Sequence, residues 1–294
     1  MMILPPSSPH SLDIKFKHLS IGILTGLPHV VFVALNRPGK RNAINSLMWK
    51  EIGQAFSELG SLGDGCRCIL LLGAGKAFSA GIDILDTGFF LRDDVNDVAR
   101  RGIAFRSQII EMQQCFTLVE TCPIPVVAAI HGPCIGAGID LVCCADVRLC
   151  SLSTTFSIRE VRLGLAADVG TLQRFPKIVG YGSCVRELCL TGEDFDSQEA
   201  LRIGFVSRTL KNEDDLILDA IALCKRIVIH SPVAVMGTKM SLTFSRDHTV
   251  MEGLDHIASH NAMALMTDDM AASFGSVARG EEATFHDLPK FSRL

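Results

Sequence analysis

The chain has 294 residues, of which 48% are hydrophobic and 20% charged, and its net charge is −4. With a mean hydropathy of +0.32 and a pI near 6.1, it can bury a core of domain size, which excludes a disordered chain. The absence of any Lys/Arg block argues against a nucleic-acid or anionic-membrane surface, and no apolar run approaches the ~20 residues of a membrane span.

The N-terminal "MMILPPSSPH" lacks the charged start of a signal peptide and the Arg-rich pattern of a transit peptide. "HVVFVALNRP" (29–38) is β-rich and ends at a Pro turn. Met48, Ile52, Phe56 and Leu59 recur at helical spacing over 46–60, with Ser46 as candidate cap. "CRCILLLGAG" (66–75) predicts a buried strand running into glycines. A polar stretch over 87–101 leads to a helix of about 20 residues ending near Glu120, broken by Pro123 and Pro125. "VVAAIHG" (126–132) predicts a second buried strand, and 136–147 turns helical after its glycines. "VRLCS" and "TTFSI" predict short strands; helices follow over 213–230, 232–245 and 249–275, then a loose polar tail over 280–294. Strand–helix units thus run to about residue 210 and helices follow. That order predicts an α/β core over 12–210, a helical segment over 211–280 and a tail over 281–294.

The 11 cysteines form no CxxC pair, so their spacing fits neither a zinc site nor a disulfide framework, and buried free thiols in a reducing compartment are expected.

Two glycine loops stand out. "GAGKAFSAGIDIL" (73–85) lacks P-loop spacing, which leaves Lys76 on the surface, and "HGPCIGAGIDL" (131–141) lacks the dinucleotide-binding order. They share Ala-Gly-Ile-Asp, at Ala80–Asp83 and at Ala137–Asp140. Small residues let a ligand approach the backbone, and free N–H groups at a helix start carry partial positive charge. One N–H from each loop could hold an oxygen that becomes negative. Tight strand-to-helix turns explain the same glycines equally well.

"AFSAGIDI", "PVVAAIHGPCIGAGIDLVCCADVR" and "FSIREVRLGLAADVGTLQRFPKIVG", spread between about residues 29 and 270, resemble the enoyl-CoA hydratase/isomerase (crotonase) superfamily. The resemblance implies a spiral of β-β-α turns with C-terminal helices that assemble trimers or hexamers. It implies a substrate carried as an acyl-CoA thioester, no other cofactor and no metal. The oxyanion-hole donors would be the backbone N–H groups of Ala80 and Ala137, the latter standing where many relatives carry Gly. The CoA ester would lie along Ala80, Gly81, Ile82, Asp83, Ile84 and Ala137.

Glu160 and Asp168 flank a greasy run, "LGLA". Desolvation among apolar walls raises a carboxyl pKa towards the range useful for proton transfer. Hydratases of the superfamily use two glutamates, at the places of Asp140 and Glu160; Asp168 is an added acid. The phrase "GLAADVGTLQR" resembles the dienoyl-CoA isomerase branch. That branch implies a 3,5- to 2,4-dienoyl-CoA isomerase of unsaturated fatty-acid β-oxidation. Glu160 and Asp168 would move protons at C2 and C6, in either order, with Asp140 in support. A hydratase, a Δ3-Δ2-enoyl-CoA isomerase or a non-catalytic binding protein on this fold are the alternatives. Each acid also has a plainer reading: Asp140 favours the first turn of a helix, Glu160 pairs with Arg159 or Arg162, and Asp168 caps "VGTLQRF". His131 is read as structural.

The last residues, Ser292-Arg293-Leu294, keep the pattern of a peroxisomal address. They predict import through a receptor into the peroxisome, with mitochondrion or cytoplasm as alternatives.

Overall fold

The computed structural model describes residues 5, 7–9, 15–61, 63, 65–86 and 97–290. The Ser292-Arg293-Leu294 motif, the first residues of the predicted core and most of the polar stretch over 87–101 lie outside the described residues.

A seven-stranded sheet is built from β1 (Ser7–Pro9), β2 (Leu19–Leu24), β3 (Val30–Leu35), β4 (Cys68–Gly73), β5 (Val126–Ile130), β7 (Val147–Ser151) and β10 (Arg208–Leu210), in that spatial order. The first three strands are antiparallel and the rest pair in parallel from β3 onward. A small sheet of β6 (Pro133–Ile135), β8 (Thr155–Ser157) and β9 (Asp194–Asp196) lies apart.

The central strands are apolar throughout because both faces are covered. Val31, Val33, Leu35, Ile69 and Leu71 join α1 (Ser46–Ser61), α2 (Val98–Thr121) and the small sheet in the main core. Phe32, Ala34, Leu70, Leu72 and Val127 face the other way, against Leu216, Ala220 and Cys224 of α7 (Glu213–Val228). Helix α7 therefore belongs to the core, and the sequence boundary at 211 falls too early.

Other expectations are corrected locally. Asn45, not Ser46, caps α1, accepting the Met48 N–H at 2.9 Å. The helix expected over 136–147 is the short α3 (Ala137–Cys143). The chain continues through α4 (Thr171–Val179), α5 (Ser183–Thr191) and α6 (Ser197–Arg202) before α7. After α8 (Pro232–Ser245), the single helix expected over 249–275 is two, α9 (Val250–Ala264) and α10 (Asp268–Arg279). Thr267 caps the second and Asp268 and Asp269 fill its first turn, a start signal that ends the preceding helix. The described part of the tail is irregular but not loose. Arg67 holds Phe285 O at 2.7 Å and the Asp287 carboxylate at 2.8 Å, and Leu288 is buried.

All 11 cysteines are free thiols, most of them buried. No helix among the described residues is long and apolar enough to cross a membrane.

Candidate active site

An open cavity of about 840 Å³ lies where α1, α2, the 80–86 segment, α3 and the 159–169 loop meet. Its walls are largely apolar, from Trp49, Ile109, Met112, Leu163, Leu165 and Val169 among others, and Asp140, Glu160 and Asp168 all line it. The leucines between the two carboxylates are thus cavity wall, which accounts for a greasy run on a loop.

Asp140 sits in the first turn of α3 and is fully buried. Its Oδ1 accepts both the N–H and the hydroxyl of Thr171, each at 2.6 Å. Its Oδ2 is buried with no partner among the described residues. Burial and then the nearby Glu160 charge push this carboxyl from the ordinary 3.8 up to about 7, against the pull of the Thr171 hydrogen bonds.

Glu160 opens the 3-10 turn Glu160–Leu163. Gly136 makes room for it: φ there is +50°, and a Cβ would lie 3.0 Å from Glu160 Oε1. Glu160 Oε2 is buried without a partner among the described residues. Burial, and then the Asp168 charge, raise this carboxyl. No ion pair joins it to its arginine neighbours; Arg159 pairs with Asp194 at 2.5 Å, so the surface-pair reading fails. Asp168 is solvent-exposed on the cavity side, yet partial burial also raises its carboxyl. Its main-chain oxygen accepts the Gln113 side-chain amide at 2.6 Å. Helix α4 begins after Gly170 with no side-chain cap, so Asp168 is not its N-cap.

The backbone donors differ from expectation at one position. The Ala80 N–H donates to Arg41 O at 2.9 Å and the Gly81 N–H to Ser79 Oγ at 3.1 Å, so Ala80 is not a free donor. No helix begins at this loop among the described residues. Instead Ile82 forms a parallel bridge with Ile44: the Ile44 N–H donates to Gly81 O at 2.8 Å and the Asp83 N–H to Ile44 O at 2.9 Å. That pattern turns the Ile82 N–H away from Ile44, and it has no partner among the described residues. Ala137 opens α3, where first-turn N–H groups lack intrahelical acceptors. The loops touch: Gly81, at φ +90°, would place a Cβ 2.9 Å from Ile135 O and 3.8 Å from Ala137 N. Ile82 and Ala137 are therefore the open pair.

Residues 80–84 and Ala137 all line the cavity, although the Asp83 carboxylate is held by Arg37 at 2.9 Å. Among the described residues, Lys40 and Arg159 are the cations on the wall. His131 is buried away from it, its Nε2 3.0 Å from Gly75 O, and burial lowers its pKa. Among the described residues no group of three or more His, Cys, Asp or Glu could hold a metal ion.

Sequence reading missed the supports. Thr171, in "GTLQR", fixes Asp140. Arg174 of the same helix pairs with buried Glu120 of α2 at 3.0 Å, and Arg246, just after α8, pairs with Glu120 as well. Phe105, Ile109 and Met112 face the cavity from α2 at helical spacing, a periodicity indistinguishable in sequence from a core face.

The sequence profile of the Enoyl-CoA hydratase/isomerase family matches residues 28–273. The chain is similar to the mitochondrial Delta(3,5)-Delta(2,4)-dienoyl-CoA isomerase of Homo sapiens, with 43% identity over 264 residues, 90% of this chain and 80% of the human one. The peroxisomal Delta(3,5)-Delta(2,4)-dienoyl-CoA isomerase of Arabidopsis thaliana is 40% identical over 243 residues, 82% of this chain and 87% of that one. A solved enoyl-CoA hydratase from Bacillus anthracis shares the fold, with a TM-score of 0.81 at 24% identity over 92% of this chain and 99% of that one.

Proposed function

The chain belongs to the enoyl-CoA hydratase/isomerase family and has its crotonase fold, and from that premise we propose that it is an isomerase converting 3,5-dienoyl-CoA to 2,4-dienoyl-CoA in unsaturated fatty-acid β-oxidation. The observation that carries this reading is the meeting, in one apolar cavity, of two open backbone N–H groups and three carboxyls.

In the proposed reaction the thioester oxygen accepts hydrogen bonds from Ile82 N–H and Ala137 N–H. One such donor is typically worth about 2.7–4 kcal/mol of barrier. Glu160, as carboxylate, takes a proton from C2. The electron pair spreads over C2, C4, C6 and the thioester oxygen as a trienolate. Asp168, as acid, delivers a proton to C6, leaving double bonds at C2 and C4. Two acids serve two remote carbons, so neither has to travel. Raised pKa values on both favour that exchange. Asp140 supports Glu160 from behind, and no water is added.

Ultraviolet absorbance tests the reading. Conversion of a 3,5-dienoyl-CoA to the 2,4 isomer, conjugated with the thioester, moves absorbance to longer wavelength. Loss of absorbance from a 2-enoyl-CoA would instead identify a hydratase.

Self-association into a trimer or hexamer is part of the same proposal. It is supported by exposed Met251, Leu254, Leu265, Met266, Phe274 and Val277 on and between α9 and α10. A monomeric mass in solution would reject it. The relatives include mitochondrial and peroxisomal forms, so the protein is assigned to one of those organelles, and we favour the peroxisome on the terminal Ser292-Arg293-Leu294. A fluorescent fusion that stays cytosolic with this tail exposed would remove the assignment.

A further inference from the structure

We propose that Trp49 is the floor of the acyl channel and sets the length of acyl chain the enzyme prefers; this rests on the acyl-CoA reading above.

Trp49 is the chain's single tryptophan. It stands in the first turn of α1, lines the cavity and is only 2% exposed. Its ring is fixed on two sides. The indole N–H donates to Met112 O at 2.9 Å, and the ring face stacks on Phe116 with centroids 4.4 Å apart and planes 15° apart. Phe116 is fully buried in the main core with Ile52 and Phe56. An indole held in this way cannot swing aside, and behind it lies packed protein.

The polar groups give the cavity a direction. The N–H pair of Ile82 and Ala137 fixes the thioester, and Asp168 marks the region of C6. Gln113 of α2 holds the Asp168 backbone, which brings the Met112–Gln113 turn beside Asp168. Met112 in turn holds the indole. Asp168 and the indole are thus held from adjacent residues of α2, and a chain that runs from the amide pair past Asp168 lies along the wall that Met112 and Trp49 form. Along this course Phe105, Ile109 and Met112 offer apolar contact and no charge.

The test uses the full-length protein and saturated acyl-CoAs of increasing length, which bind without reacting. Binding is measured by calorimetry and the environment of the indole by tryptophan emission, both on the wild-type protein. Affinity should rise about fourfold per added methylene until the tail reaches the floor, then level off or fall. Emission should change sharply at that same length. In Trp49→Ala the length preferred by kcat/KM along a dienoyl-CoA series should move to longer chains. Binding with emission and affinity blind to length would overturn this inference and leave the isomerase reading standing, as would an unchanged preference in the variant. Failure of every acyl-CoA to bind would overturn both. Should the variant fail to fold, the wild-type titration decides alone.

Discussion

Replacing Asp140 by Asn should stabilise the protein at alkaline pH while it damages catalysis. The carboxyl is raised from the ordinary 3.8 to about 7, by burial first and the Glu160 charge second. Between those two pH values the native state holds a proton that the unfolded state has released. Stability therefore falls as pH rises through this window and is level outside it. The gap corresponds to roughly 4 kcal/mol of cost once Asp140 is ionised. Asparagine keeps an acceptor for the Thr171 N–H and hydroxyl and carries no charge. Its amide, in the place of the partnerless Oδ2, becomes a buried unpaired donor at a cost of about 1–3 kcal/mol. The net gain near pH 8 is about 1–3 kcal/mol, or roughly 2–6 °C in Tm. Near pH 5, where the native aspartate is already neutral, the gain disappears. Thermal unfolding of both proteins across this range is the assay, with isomerase turnover measured alongside. An equal Tm difference at both ends would refute the reasoning, because Asp140 would then not titrate inside the window.

Asp168→Asn should lower turnover by about 10²–10⁴ and leave acyl-CoA affinity in place, read by steady-state kinetics and calorimetry. Thr171→Val removes a charge-assisted hydrogen bond worth about 1.5–3 kcal/mol to the ionised form of Asp140. It should lower Tm and move the near-neutral limb of the pH–rate profile upward, and Thr171→Ser should restore both. Gly136→Ala puts a methyl 3.0 Å from Glu160 Oε1 at φ +50°. Backbone strain of about 1–3 kcal/mol and a displaced Glu160 are expected, visible as a fall in kcat larger than the loss of stability explains.

The acids were legible in sequence because chemistry restricts their type and the cavity loops keep them close along the chain. Asp140 and Glu160 lie 20 positions apart, and Asp168 follows eight later. The donor in the first loop was not legible. Whether residue 80 or 82 offers its N–H depends on a bridge to Ile44, far back in the chain, and nothing within "FSAGIDI" reports that pairing. Strand β2 escaped because "LSIGIL" mixes Ser and Gly into its run; its partner β3 supplies the register. Helix α7 looks like any amphipathic helix until the second face of the sheet requires a cover. The tail reads as loose because its anchor, Arg67, lies 220 residues away.

Both groups that would grip the thioester belong to the main chain, at positions 82 and 137. Their side chains are therefore anonymous to the chemistry. Any residue that fits the surrounding walls preserves the donor, and only proline, which has no N–H, abolishes it. These two sites can drift in identity while the reaction stays the same, whereas a slip of the Ile44–Ile82 bridge by one residue would disarm the enzyme with every atom of its sequence intact.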